Sequence, residues 1–375
     1  MPLGTLSGFT IAVTADRRSE EQASLLARRG AEVLHGPVIK TLPLGEEGGT
    51  EEATLALIEQ PPDVVILSTA LGVRGWFSAA AGLGLEEALL EVFAGAELVA
   101  RGTKAIGAIV SAGLGAGLPL PSPTYAAIVE TFTARPARHP DGRPVRVAVQ
   151  LDGERSSDLP ALLADLGFDV VAVPVYRWVL PDDLAPAERV VLAVADRRVD
   201  AVTFTSAHAV ANFTTIAERL GVLDRVRAAC GDGQVAVVCV GPVTRAHAAA
   251  AGLTGLLEPA QPRLGAMVQC LAAAFDARAV DLELDDHPVR LQGNLVVVGG
   301  EAPVSLTDRE RSVLEVLSER QGVVISKQAL LQRVWNDDSD EHAVEVTVGR
   351  LRRRLGPAGS SIETVMRRGY RLATG

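Results

Sequence analysis

Arginine is concentrated near the end of this 375-residue chain in a pattern that few chemistries explain. Arg350, Arg352, Arg353 and Arg354 fall within five residues, and Arg367, Arg368 and Arg371 follow around Gly369 and Tyr370. Residues 342–375 hold seven Arg and two Glu, while the whole chain has a formal net charge of −10. Cations gathered on one short stretch of an acidic protein suit a phosphate backbone, whose neutralisation releases counterions. Arg can also bond guanine bidentately in the major groove. Lys327, Thr347, Arg350, Arg352, Arg353, Arg354, Arg367, Arg368, Tyr370 and Arg371 are therefore the candidate DNA-binding residues. The plain alternative is a solvated basic helix, and three consecutive Arg followed by Arg-Arg-Gly-Tyr-Arg weigh against it.

Side chains that read DNA need a rigid platform, and the surrounding pattern supplies one. Thr307 before Asp308 and Glu310 opens a first helix with Val313, Leu314 and Leu317 at helical spacing. Ser326 caps a second helix, which carries Leu330, Leu331 and Val334 and ends near Trp335. After the acidic interruption NDDSDE, a third helix puts Val344, Val348, Leu351 and Leu355 on one stripe. Gly349, Arg350 and Arg353 lie away from that stripe, and Arg352 and Arg354 flank it. The alternating tail ETVMRRGYRL turns at Gly369 and reads as a β-hairpin arm.

Three helices and a basic hairpin make a winged helix. Leu306-Thr307, Leu330-Leu331-x-x-Val334-Trp335, Val344-x-Val346, Arg350-Leu351-Arg352-Arg353-Arg354-Leu355 and Arg368-Gly369-Tyr370-Arg371-Leu372 carry a resemblance to the C-terminal domain of OmpR/PhoB-type response regulators. Residues 288–306 fit the small antiparallel sheet that precedes the helices in that family. Gly349 stands where family members often carry a larger polar or basic side chain, so base readout is expected from Glu345, Val346, Thr347, Arg350 and Arg353.

Composition bounds the remainder. Hydrophobic residues make up 48% and aromatics 4% of the chain, so its cores are aliphatic, as α/β layers require. Cys230, Cys239 and Cys270 are odd in number and lack C-x-x-C spacing, which reads as buried thiols in a reducing compartment and excludes a zinc site. No apolar leader and no run of membrane-spanning length is evident, so a cytoplasmic location with no membrane partner is expected. Residues 1–300 hold 35 acids and 24 Lys and Arg, so the body opposes DNA and affinity must come from the clustered C-terminal face.

The first 275 residues repeat themselves. An offset of 137 carries Leu25, Leu26, Gly30, Val33, Pro37 and Val38 onto Leu162, Leu163, Gly167, Val170, Pro174 and Val175, and Asp63, Val65, Ala70 and Val73 onto Asp200, Val202, Ala207 and Val210. Gly107 maps onto Gly241 with a small slip, within a segment (residues 101–118) read as a strand entering a Gly-rich stretch. Continuous apolar runs such as VVIL and VAVVCV argue parallel sheets covered on both faces. Residues 38–44 and 175–181 are the equivalent connections. If the chain crosses at both, residues 1–40 with 178–275 form one domain and 41–177 another, with 276–287 an acidic, Pro-containing linker and 288–375 the winged helix. Val173-Pro174-Val175-Tyr176, Thr205-Ser206-Ala207-x-x-Val210 and Val240-Gly241-Pro242-x-Thr244 carry a resemblance to uroporphyrinogen-III synthase (HemD). The fold class that results is α/β, a two-domain HemD-like parallel-sheet architecture with a C-terminal winged helix-turn-helix.

That resemblance implies closure of the linear tetrapyrrole hydroxymethylbilane without metal or organic cofactor. It places a hinge tyrosine and small hydroxyl residues at the cleft, here Tyr176, Ser206 and Thr244, as the catalytic candidates. Helix starts rich in Ser, Thr and Gly present unpaired N–H groups to anions, and a phenol can act as a general acid. Arg17, Thr205, Ser206, His208, Gly241 and Thr244 are the ligand-binding candidates. Thr205, Ser206 and Thr244 suit plain helix capping equally well, and the position in the first repeat equivalent to Thr244 reads as Val110. Gly113-x-Gly115-x-Gly117 lacks the dinucleotide-binding spacing. A phospho-receiver is excluded because TADRR offers one acid and VVILSTA ends in Ser-Thr.

The layout resembles actinobacterial regulators that fuse the two modules, some tied to nitrate and nitrite assimilation. It implies a transcription regulator with a sensing or docking HemD-like region. The expected partners are double-stranded DNA, bound as a dimer, another regulator, RNA polymerase, and a tetrapyrrole or other polyanion. Two rivals stay open: a working synthase with a DNA-binding appendage, and a co-activator that docks on another regulator.

Overall fold

A computed structural model describes residues 3–44, 48–115, 117–120, 122, 124–151, 153, 158–335 and 339–374. Part of the acidic interruption, residues 336–338, lies outside them. The chain divides into two units, residues 1–39 with 181–375, and residues 40–180.

The first unit opens with a five-stranded parallel sheet in the order Leu256–Leu257, Ala236–Cys239, Ala201–Phe204, Thr10–Val13, Glu32–His35. Its central strands are buried along their length apart from Thr10, as the unbroken apolar runs require. Phe9, Ile11, Val13, Met267, Leu271 and Phe275 pack beneath one face, with the rings of Phe9 and Phe275 4.6 Å apart. Phe204 meets Phe213 of helix Ala207–Arg219 edge-on at 5.2 Å. The chain leaves Thr10–Val13 toward one edge and returns at Ala201–Phe204 to build toward the other. The order therefore reverses between these two strands, where open α/β sheets present ligand crevices.

The second unit repeats the plan, in the order Leu118–Pro119, Glu97–Ala100, Val64–Leu67, Arg146–Gln150, Asp169–Val173, all parallel. An antiparallel ribbon joins Lys40–Pro43 to Tyr176–Val179 within this unit. Trp76, Phe77 and Phe93 form an edge-to-face aromatic cluster in its core. One reading needs correction here. The strand of the Gly-rich segment is Glu97–Ala100, and Thr103–Ser111 is a helix. Gly107 sits inside that helix and Gly102 precedes it, as Gly241 precedes helix Pro242–Ala250. Counted from these starts, the residue equivalent to Thr244 is Ala105, fully buried, and not Val110.

The C-terminal part of the first unit begins with an antiparallel sheet, Val280–Leu284, His287–Gln292, Leu295–Val298 and Val304–Ser305. Its first strand occupies residues read as a linker. Asp285 and Asp286 adopt φ of 47° and 60°, so they are the two-residue turn of a hairpin between alternating strands. Helices Asp308–Ser318, Lys327–Leu330 and Glu341–Arg354 follow, the second running on as a π-helical turn, Leu331–Trp335. The hairpin Ile362–Val365 with Gly369–Leu372 closes the chain. Val344, Val348, Leu351 and Leu355 are all buried against Val313, Leu317, Leu330 and Trp335. Thr307 and Glu310 cap each other's backbone N–H groups at 3.3 and 2.9 Å, a reciprocal capping box. Among the described residues no helix is long and apolar enough to cross a membrane.

Candidate nucleic-acid interface and anion-binding helix starts

The helix Glu341–Arg354 is opened by Asp340, whose carboxylate accepts from the Ala343 N–H at 3.0 Å. Its apolar stripe is spent on the core, so the opposite face is free to bear function. Arg350 and Arg353 stand exposed on that face, and Arg367 and Arg368 stand exposed at the tip of the hairpin. None of these four makes an ion pair among the described residues. Arg367 holds a left-handed φ of 60° there, beside Met366, which is 81% exposed.

The other candidates are engaged with the protein itself. Arg352 donates to the Ile362 carbonyl at 2.8 Å and to Thr364 Oγ1 at 2.9 Å, and its guanidinium lies 5.9 Å from the Tyr370 ring centroid. It laces helix to hairpin. Tyr370 is 5% exposed, and burial raises its phenol pKa. Arg371 pairs with Glu363 at 2.5 Å and Arg354 approaches the buried Glu310 at 4.0 Å. Lys327 lies 2.5 Å from Glu345 and 3.3 Å from Glu341, so it bridges the second helix to the third. The hydrogen bond to Lys327 lowers the Glu345 pKa, keeping it anionic in the middle of the basic face. Thr347 returns its hydroxyl to the Ala343 carbonyl at 2.8 Å. A Cβ built on Gly349 meets nothing within 4 Å, so this position leaves open space on the helix.

The second set of candidates gathers along the carboxyl edge of the first unit's parallel sheet. Arg17 is exposed beyond Thr10–Val13, Thr205 and Ser206 follow Ala201–Phe204, and Gly241 follows Ala236–Cys239. Ser206 Oγ accepts from the Ala209 N–H at 3.2 Å, so it does cap its helix. Thr205 and His208 are half-buried at that helix start, and Thr244 is 4% exposed one turn into the helix that Gly241 opens. Tyr176 belongs to the second unit, 4% exposed, its hydroxyl 3.2 Å from Thr69 Oγ1. Among the described residues no group of three or more His, Cys, Asp or Glu could hold a metal ion.

Residues 20–269 match the family model of uroporphyrinogen-III synthase HemD, well over half of the chain. The chain belongs to the HemD family. Residues 300–372 match a second model, transcriptional regulatory protein, C terminal. Uroporphyrinogen III synthase of Thermus thermophilus superposes with a TM-score of 0.57 at 25% identity, over 72% of this chain and 99% of that one. The uncharacterized protein YjjA of Bacillus subtilis is 26% identical over 273 residues, 73% of this chain and 98% of its own. Transcriptional regulatory protein CutR of Streptomyces coelicolor is 42% identical over 71 residues, 18% of this chain and 32% of its own. The molecule thus joins a HemD portion to an OmpR/PhoB-type DNA-binding domain.

Within the HemD portion the two repeats differ at their helix starts. In the second unit the Gln150 amide oxygen accepts from the Ser68 and Thr69 N–H groups, each at 3.1 Å, and Thr69 Oγ1 accepts from the Gly72 N–H at 3.0 Å. The donors that an anion would use are filled by the protein. The strand register places Thr14 at the position of Gln150 in the first unit, and its shorter side chain donates its hydroxyl to the Thr203 carbonyl at 2.7 Å. The helix start at Thr205-Ser206 is therefore the better equipped of the two to receive an anion. Thr69 and Gln150 were absent from the sequence candidates, although the offset already paired Thr69 with Ser206.

Proposed function

We propose that this protein is a transcription regulator that binds double-stranded DNA through its C-terminal domain, and that its HemD portion serves as a sensor or docking region. The observation that carries the reading is the group of four exposed guanidinium groups without ion pairs among the described residues, Arg350, Arg353, Arg367 and Arg368, in a chain of net charge −10. A surface helix kept for solubility would pair them with its acids, as Lys327 and Arg371 are paired. A sequence selection from random duplexes at two salt concentrations tests it. Enrichment of one motif, with affinity falling as salt rises, is expected. Failure to enrich any motif, with no salt-dependent binding, overturns the reading.

At finer grain, we take the ligand to be a tetrapyrrole or other polyanion received at the Thr205-Ser206 helix start, with His208 in the same helix start and Arg17 beyond the end of the paired strand Thr10–Val13. The target genes are those of nitrate and nitrite assimilation, and the DNA-bound form is a dimer that engages RNA polymerase or another regulator. The layout resembles regulators of that kind, which is the support for this part. Titrating uroporphyrinogen III into the protein–DNA complex tests the sensing role, and unchanged DNA affinity removes it.

One observation favours a second reading. The Tyr176 hydroxyl beside Thr69 Oγ1, together with Ser206 and Thr244 at helix starts of the other unit, keeps the hydroxyl set that the synthase resemblance implies. A retained synthase converts hydroxymethylbilane to the type III isomer and loses that product on Tyr176→Phe. Only spontaneous type I product would leave the HemD portion a binding module.

A further inference from the structure

The HemD lobe of the first unit and the DNA-binding domain are joined by more than chain continuity. Residues 277–279 alone separate helix Leu264–Asp276 from strand Val280–Leu284. The turn after His287–Gln292 presses on the N-terminal segment. Asn294 N–H donates to the Gly8 carbonyl at 2.8 Å, and Gln292 Nε2 donates to the carbonyls of Gly4 and Ser7 at 2.8 and 3.0 Å. Gln292 is 2% exposed. The backbones approach so closely that a Cβ on Gly293 would collide with the Gly8 carbonyl. On the neighbouring helix, Arg311 is held by Glu315 at 2.9 Å and donates to Asp200 Oδ1 at 3.0 Å. The two side chains of that pair are 24% and 16% exposed.

The internal repeat explains why Asp200 was available. Asp63 is its counterpart in the second unit, and the two make the same backbone exchange. Asp63 N–H donates to Arg146 O at 2.9 Å and its Oδ2 accepts from Arg146 N–H at 2.8 Å. Asp200 N–H donates to Thr10 O at 2.8 Å and its Oδ2 accepts from Thr10 N–H at 2.8 Å. Each then passes its carbonyl to the next strand at 2.9 Å, to Glu97 and to Ala236. They differ in what satisfies Oδ1. In the second unit it is Arg143, three residues before the strand partner, at 3.0 Å. The corresponding residue of the first unit is Ser7, which carries no charge. A guanidinium is supplied there by Arg311 of the DNA-binding domain.

We propose that Arg311 is a positioning residue. It seats the DNA-binding domain in the aspartate socket at the strand start of the HemD repeat, so that lobe and domain turn as one body. The consequence for DNA, that the HemD lobe is carried in one fixed direction from the operator, rests on the DNA-binding reading above. The seating itself does not. A half-buried guanidinium held between two carboxylates loses its partners together when the seam opens, which makes separation cooperative.

The experiment uses the full chain with spin labels at Glu218 on the lobe and Thr364 on the hairpin, both on exposed or edge positions. The unsubstituted protein should give one narrow distance distribution. Arg311→Ala should broaden it several-fold, and Arg311→Lys, which keeps the charge but not the fork, should fall between. Gln292→Ala serves as a second opening of the seam if Arg311→Ala fails to fold. A broad distribution in the unsubstituted protein, or an equally narrow one in folded Arg311→Ala and Gln292→Ala, overturns the proposal. Energy transfer from an operator end to Glu218 then tests the DNA consequence. Loss of all DNA binding by the unsubstituted chain would sink the regulator reading and leave the seat standing.

Discussion

At the residue scale, the regulator proposed above gives four arginines of the same charge two different tasks. Arg350 and Arg353 lie on the helix that fits a major groove, and Arg367 and Arg368 lie at a hairpin tip. Replacing either helix residue by alanine should change which motif is enriched, at about 1–3 kcal/mol for a lost bidentate contact. Replacing either hairpin residue should weaken all duplexes alike and reduce the salt slope by about one. Identical behaviour of all four in quantitative binding titrations would erase the distinction. The second unit offers a pH prediction from Asp63. Burial pushes its carboxyl up, but hydrogen bonds from Arg143, the Arg146 N–H and His139 together pull it down to about 2. A depressed folded pKa adds stability that is fully present above the ordinary carboxylate range and is lost as pH falls from about 4 through 2. Asp63→Asn should be less stable than the parent at pH 7 in urea titrations, with the difference vanishing near pH 2.

Among elements, helix Glu341–Arg354 contains an avoidable weakness. Gly349 sits in mid-helix with open space where a side chain would be. Gly349→Ala should stabilise the domain by about 1 kcal/mol, measured by thermal unfolding, without touching the core stripe. Most elements here were legible in sequence because burial writes a strong pattern. Val344, Val348, Leu351 and Leu355 form a 3.6-residue stripe, and an offset of 137 exposed the repeat. The failures have local causes. Val280–Leu284 was hidden because Asp285-Asp286 reads as an acidic linker, while two aspartates also tolerate the left-handed conformation that a tight hairpin needs. Thr103–Ser111 was hidden because its small and β-branched residues run into a Gly-rich stretch that also suits a strand, although Ala105, Ala108 and Ile109 keep helical spacing, and this moved the equivalent of Thr244 from Ala105 to Val110. The candidate interface was half legible. Charge marks a stretch as basic, but only coordinates show that Arg352, Arg371 and Lys327 bind the protein's own groups and leave four of the cluster for a partner.

For the molecule as a whole, charge and connectivity matter most. Residues 1–300 hold 35 acids and 24 Lys and Arg, so the protein's own body opposes non-specific DNA affinity. The second unit is one continuous segment, residues 40–180, and its ribbon pairs Lys40 with Val179, which brings its ends side by side. A fragment of those residues should fold alone and unfold cooperatively in urea, and a broad, baseline-free transition would show that it depends on the rest of the chain. The same connectivity imposes an order during synthesis. Thr10–Val13 is among the first segments made, yet its neighbour Ala201–Phe204 lies some 190 residues downstream. At roughly 5–20 residues per second, the emerging strand waits on the order of 10–40 seconds with one apolar edge uncovered. The described strands of residues 40–180 pair with one another, and so the inserted unit should be complete on the ribosome before the unit whose two segments flank it in sequence.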